Sequence, residues 1–223
     1  MRKKIKSFAA NFNIAKRELI FNGRFSNTFP CIETKRLTLR RLTYADAPAL
    51  FEYFSQDVVT EYYDLAPFQS LSEAEDLIRT WNTAYDIQSA IRWGIVLKEN
   101  NQVIGTCGYH NFREKHGRAE LGYELNLDYW QQGYMTEAII AIQKYGFKKL
   151  RLHRIEAFIF PDNLASRKLL EKVGLQSEGI LRDYFFEKGR FIDGEIFSIL
   201  IHEWKKKSNS IYYSLKNKAF HSK

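Results

Sequence analysis

Trp130-Gln131-Gln132-Gly133-Tyr134-Met135 joins two stretches with different periods. Before it, residues 119–127 alternate: Leu121, Tyr123 and Leu125 share one face, and Glu120, Gly122 and Glu124 share the other, as in a strand. After it, Met135, Ala138, Ile139, Ile142, Gly146 and Leu150 fall on one helical stripe. The six residues are therefore a strand-to-helix junction with glycine in the fourth place. The first amides of a helix lack internal partners, and the macrodipole adds partial positive charge there. Gly133, having no Cβ, lets a ligand come close to the backbone. A diphosphate suits such a corner. An ordinary tight turn has the same sequence, and a single glycine does not choose between them.

Upstream, residues 33–42 alternate as a strand, with Leu37 and Leu39 on one face. Thr43 reads as an N-cap with Asp46 in the first turn, and Leu50, Phe51 and Phe54 form the helix stripe. A second helix is expected after Ser72, with Glu73, Glu75 and Asp76 at its positive end. Two β runs follow, 92–98 and 103–112, joined at Asn100-Asn101. Downstream, 153–160 reads as a strand, Pro161-Asp162-Asn163 stops it and caps a helix, and Gly174 ends that helix. A hairpin closes the pattern: 181–187, a Lys188-Gly189 turn, then 191–204. The order is β-α-α-β-β-β-α-β-α-β-β. One strand–helix–strand unit in a hairpin-linked chain implies an α+β domain whose mixed, mostly antiparallel sheet holds one parallel pair.

The net charge of +8 in 223 residues is carried by the ends. Residues 1–30 hold seven Lys/Arg against Glu18 alone, and residues 207–223 hold four Lys and no acid. The body, 31–206, is slightly acidic. The chain thus divides into a basic N-terminal extension (1–30), a domain (31–206) and a basic tail (207–223). The ends could touch an acidic surface such as RNA or lipid, or simply be solvated. Ile5, Phe8, Ala9 and Phe12 fit a short amphipathic helix. No apolar run reaches the ~18 residues of a membrane span, and no apolar stretch follows Met-Arg-Lys-Lys as in a secretory signal. Cys31 and Cys107 read as free thiols in a reducing, cytoplasmic setting. His110, His116, His153 and His202 lack metal-ligand spacing, so no metal is expected.

Gln131 to Ala138 resembles motif A of the GCN5-related N-acetyltransferases, in the form found in the branch containing the RimJ/RimL-type ribosomal-protein N-terminal acetyltransferases. Trp130 and Met135 depart from the commoner Arg/Gln and Gly/Ala. Pro161-Asp-Asn-Leu-Ala-Ser-Arg-Lys-Leu-Leu-Glu-Lys-Val-Gly-Leu175 resembles motif B. Glu33-Thr-Lys-Arg-Leu-Thr-Leu-Arg40 and the Leu181-Arg-Asp-Tyr…Asp193 hairpin resemble the opening and close of that branch. The resemblance covers roughly residues 32–204. It implies helices on both faces of the sheet, a splayed parallel pair, and transfer of acetyl from acetyl-coenzyme A to a primary amine with no metal. Coenzyme contacts would come from Leu125, Asn126, Leu127, Gln131, Gln132, Gly133, Tyr134, Met135, Thr136, Asn163 and Ser166. An amide near Leu125 would face the thioester oxygen.

The amine must lose a proton, and Glu124 or Glu120 is the candidate base; each also reads as a solvated strand carboxylate. Ser166 is the candidate acid for the thiolate, with Tyr184 as fallback. Asn163 reads equally as a helix cap. The acceptor is expected to be a protein N-terminus. A small amine such as an amino acid, polyamine or aminoglycoside, a non-catalytic acetyl-coenzyme A module and a nucleic-acid binder acting through the basic ends are the alternatives. Monomer and homodimer are both open.

Overall fold

The computed structural model describes residues 25–207 except Asn27, Asp64 and Lys188. The amphipathic pattern at 5–12, the Asn22-Gly23 turn, Lys188 of the hairpin turn and the basic tail beyond Lys207 lie outside the described residues.

Leu37 and Leu39 alternate with half-buried Thr38 and Arg40, and that period makes β2 (Leu37–Arg40) a strand beside the short β1 (Ile32–Glu33). Thr43 and Asp46 form a capping box around a single 3-10 turn, which leads into α1 (Ala47–Phe54). A short helix that the sequence reading does not contain, α2 (Asp57–Thr60), follows. The next helix, α3 (Leu71–Asp86), begins two residues earlier than expected. Ser70, not Ser72, is its N-cap, because the Glu73 carboxylate reaches back to the Ser70 amide at 2.8 Å.

Three strands then run antiparallel: β3 (Ile91–Leu97), β4 (Val103–Arg113) and β5 (Arg118–Leu125). The last stops at Leu125 instead of Leu127. The Asn126 side chain accepts from the Asp128 amide and starts a 3-10 turn, Leu127–Tyr129. After Gly133 come α4 (Tyr134–Lys148), β6 (Arg154–Ile159) and α5 (Leu164–Val173). The closing hairpin, β7 (Gln176–Glu187) and β8 (Arg190–Leu200), starts five residues earlier than expected, and its second strand stops short of Trp204. Residues 201–207 are helical, and the Glu203 carboxylate accepts from the Leu200 amide at 2.8 Å.

Among the described residues eight strands order β1-β2-β3-β4-β5-β6-β8-β7, with β5–β6 the one parallel pair. Two apolar layers cover the sheet. On one face α4 and α5 pack Met135, Ile139, Ile142, Leu170 and Val173 against Trp93, Cys107, Tyr109, Leu121 and Ile155. On the other, α1 and α3 bring Leu50, Phe54, Ala74 and Ile78 onto Leu42, Val96 and Val103. Burial of this apolar area, at about 25 cal/mol per Å², is what holds the helices to the sheet. Among the described residues no helix is long and apolar enough to cross a membrane.

Candidate functional site

The parallel pair is short. Its register runs Arg118↔Arg154, Ala119↔Ile155 and Glu120↔Glu156, then stops, although β5 continues to Leu125 and β6 to Ile159. Along β5 the residues directed toward β4 alternate with those directed toward β6. The Asn126 amide donates to Ile104 O at 2.8 Å, which fixes the phase. Tyr123 and Leu125 therefore turn their amides toward the side where β6 has left the ladder. The indole Nε1 of Trp130 donates to Leu125 O at 2.8 Å and closes the upper end of this gap. Trp130 is thus part of the frame of the opening.

Beside the gap, Gly133 caps α4 with φ 79°, and Gln131 has φ 59°. A side chain is disfavoured at such angles, the more so at the larger positive φ, where glycine stands. Met135 is 7% exposed and packs in the core, so the methionine in place of a small residue does not crowd the outward face of the helix start. Gln132 ties the turn by donating Nε2–H to Asp128 O at 2.8 Å. Arg36, at the head of β2, braces it further. Its Nη1 donates to Gln132 O at 3.0 Å, and its guanidinium lies 4.1 Å from the Tyr134 ring centre. Its amide and Nε donate to the Glu137 carboxylate at 2.8 and 2.7 Å. Burial alone would raise the Glu137 carboxyl; the Arg36 amide, Thr34 and the Arg36 guanidinium outweigh it and hold that carboxyl below its ordinary value. The negative charge in the first turn is thereby neutralised.

The two candidate carboxylates on β5 differ sharply. Glu124 is not a solvated strand carboxylate: it is 6% exposed and saturated with partners. The guanidinium of Arg92 pairs with Oε2, the Thr106 hydroxyl donates to Oε1, and Tyr53 OH reaches Oε1 at 3.3 Å. Arg92 also donates Nε–H to Thr106 Oγ1 at 2.5 Å, and Nη2–H to Tyr63 OH at 3.2 Å, and lies 5.0 Å from the Trp81 ring centre. Desolvation pulls the Arg92 pKa down, but Glu124 more than compensates, so it stays charged. This network ties α1 and α3 to three strands.

Glu120 is half-buried and lightly held. Its Oε2 accepts from Asn111 Nδ2 at 3.0 Å and lies 3.7 Å from His110 Nδ1. Burial raises its pKa; Asn111 opposes this, and Glu156, across the last rung of the parallel pair, adds to it. Burial and then Arg92 push the His110 imidazole down to about 4, so the ring is neutral at physiological pH. Glu156 itself is clamped by Arg118 at 2.5 Å and Arg154 at 2.7 Å. Gly122 separates Glu120 from Glu124, and a Cβ there would stand 2.7 Å from Arg92 Nη1 and 3.2 Å from His110 Nε2.

On the opposite face of the sheet, Ser166 Oγ lies 2.5 Å from Tyr123 OH, joining the first turn of α5 to β5 across the gap. Burial drives the Tyr123 phenol up; the Ser166 hydrogen bond opposes it without cancelling it, so the phenol keeps its proton. Asn163 is a helix cap: its Oδ1 accepts from the Ser166 amide at 3.0 Å. Tyr184 stands apart from this pair. It stacks on Phe158, on the Glu120 face, with centroids 4.9 Å apart. Asn126 has committed its amide to Ile104 and its Oδ1 to Asp128, and Leu127 lies in the 3-10 turn.

Arg36, Arg92, Thr106 and Tyr53 escape a reading by periodicity, and for Tyr123 periodicity gives the face but not its partner Ser166. One cue exists for Arg92: it is the single charge in Ile91–Leu97, a strand buried at every position.

The matching family model is described as an acetyltransferase (GNAT) domain and covers residues 36–176. The uncharacterized N-acetyltransferase YoaA of Bacillus subtilis (strain 168) is 44% identical over 172 residues, spanning 77% of this chain and 97% of that protein. The ribosomal protein uS5-alanine N-acetyltransferase of Escherichia coli (strain K12) is 25% identical, over 78% of this chain and 92% of that protein. A GNAT-family acetyltransferase crystal structure from Bacillus anthracis superposes with a TM-score of 0.69 at 28% identity, covering 77% of this chain and 98% of that one. The early-parting parallel strands, the glycine-capped helix beside them and these likenesses agree: the chain belongs to the GNAT acetyltransferase family and is an N-acetyltransferase.

Proposed function

We propose that this enzyme acetylates a protein α-amine by direct attack of that amine within a ternary complex. The observation that carries the reading is the separation of β5 from β6 after Glu120↔Glu156, which leaves the Tyr123 and Leu125 amides facing an open slot next to the Gly133 corner. GNAT acetyltransferases use acetyl-coenzyme A, which supplies the activated acetyl thioester. The residues present fit it. The amides of residues 131–136 suit its diphosphate, and the slot suits an extended arm that completes the ladder. An amide at Tyr123 or Leu125 is placed to steady negative charge on an acyl oxygen.

Glu120 takes the proton from the incoming amine. Its environment raises its basicity, and its Oε1 has no hydrogen-bond partner among the described residues, whereas Glu124 is consumed by its ion pair. Tyr123 and Ser166 form a two-hydroxyl relay that can return a proton to the leaving sulfur. An α-amine titrates near ~8 and is partly neutral at cellular pH, while a lysine near ~10.4 is not, which favours the terminal amine with a single carboxylate base. The uS5-alanine acetyltransferase relative supports the same choice.

The reading is tested by offering the full chain acetyl-coenzyme A with a peptide whose α-amine and one lysine are both free, and locating the acetyl group by mass spectrometry. Acetyl on the terminal nitrogen is expected. Acetyl on lysine, or turnover of spermidine alone, would move the enzyme to another acceptor class. A second expectation concerns Arg36. Replacing it with Gln unbraces the Gly133 turn and frees the Glu137 charge, so calorimetry should show coenzyme A binding about tenfold more weakly, ~1.4 kcal/mol. Unchanged affinity would mean that the turn holds its shape without the brace.

A further inference from the structure

The stretch of β6 that has left β5 carries Phe158, and Phe160 follows its end. Residues 155, 157 and 159 turn to the α4–α5 core, so Phe158 projects on the same face as Glu120 and Glu124. Phe158 stacks on Tyr184 at 4.9 Å with the rings 7° from parallel. Phe185 joins Tyr184 at 4.8 Å and Phe160 at 5.6 Å. From the opposite lip, beyond α2, Tyr62 meets Phe160 edge-on at 6.1 Å. Five rings thus form one continuous wall along one lip of the slot and across to the other. Tyr184 is 48% exposed and Tyr62 36% exposed, a large apolar surface to leave in water. Glu61 and Asp162 lie close enough to the Tyr62 hydroxyl to raise it further after burial, and Glu120 lies on the same face of the sheet as Phe158.

We propose that this wall receives a bulky apolar side chain adjoining the acceptor amine, making the enzyme selective for amines next to a large hydrophobic group. The inference rests on the slot being the transfer site and adds the acceptor class to it. The ammonium end meets the carboxylate side, while the side chain replaces water on the rings. Polyamines and amino sugars present no apolar group and lose that contribution.

The test uses the full chain, acetyl-coenzyme A and thiol release. Matched tetrapeptides beginning with Phe, Leu, Met, Ser or Asp are compared with spermidine and kanamycin. A kcat/KM at least tenfold higher for the Phe, Leu and Met peptides is expected. Tyr184→Ala and Phe158→Ala should each erase most of that preference while coenzyme A affinity, read by calorimetry, stays unchanged. Tyr184→Phe should preserve it, since the ring and not the hydroxyl acts. Tyr184→Ala, at an exposed position, covers the case in which Phe158→Ala fails to fold. Equal kcat/KM across the peptides, a preference for spermidine, or a preference surviving both alanine variants would overturn the proposal while leaving the transfer site intact. No turnover with any amine, despite coenzyme binding, would overturn the transfer-site reading and this inference with it.

Discussion

Glu120→Gln should lower kcat/KM for the amine by roughly 10²–10⁴-fold, the range typical of losing a positioned general base, with coenzyme A affinity unchanged. The pH profile gives the sharper result. The base must be ionised to work, so wild-type activity falls as pH drops through the Glu120 pKa. Burial and Glu156 place that pKa above the ordinary carboxylate value. The Gln variant should show no such limb. Linkage supplies a second sign. A carboxyl whose folded pKa lies above its unfolded value binds more protons when folded, so stability declines as pH rises through that window, and the ionised group costs stability at neutral pH. Glu120→Gln is therefore expected to leave the urea midpoint at pH 7 unchanged or slightly raised. Activity lost together with stability kept is the behaviour of a working group, not of a structural one. A variant that keeps the acidic limb, or wild-type turnover, would return the base to Glu124 or to water.

Arg92→Leu should cost about 3–5 kcal/mol of folding stability, because it leaves the Glu124 carboxylate buried without its counter-charge. In a domain of this size that corresponds to a melting temperature lower by roughly 6–20 °C. The loss is not the worth of the ion pair. Arg92→Leu with Glu124→Leu removes both charges, and the double variant should recover most of what the single one loses. Urea unfolding of the two single variants and the double variant reads this directly. An Arg92→Leu protein within about 1 kcal/mol of the parent would mean that water, not Arg92, satisfies Glu124. The pairing also separates the two β5 carboxylates by experiment: one is expected to move stability, the other activity.

Most of the architecture was legible along the chain because it depends on near neighbours. Period-two alternation at Leu37 and Leu39 and around Leu121 marked strands, and Thr43 with Asp46 marked a helix start. The strand–helix–strand unit ending in the 153–160 run gave the one parallel pair. The errors fell where short-range chemistry competes. Ser70 and Ser72 both look like caps, and only the reach of the Glu73 carboxylate selects Ser70. The strand run through Asn126 ended early because its side chain serves the Asp128 amide. The segment after Leu200 turned helical because Glu203 accepts from the Leu200 amide.

The candidate site divides along the same line. Gly133, Ser166 and the carboxylates Glu120 and Glu124 could be named from sequence alone, since a motif or an alternating face marks them. Their roles could not be assigned there. Glu120 and Glu124 sit two positions from the same glycine and look interchangeable in sequence. Arg92 and Thr106, 14 residues apart on neighbouring strands, close on one of them and leave the other open. Tyr123 meets Ser166 across 43 residues of chain, and Arg36 reaches Glu137 across 101. Period and turn chemistry are local properties, so one chain read in order determines them. Whether a carboxylate is a base or a buried counter-ion depends on charge and solvent within a few ångströms, and only the folded sheet brings those groups that close.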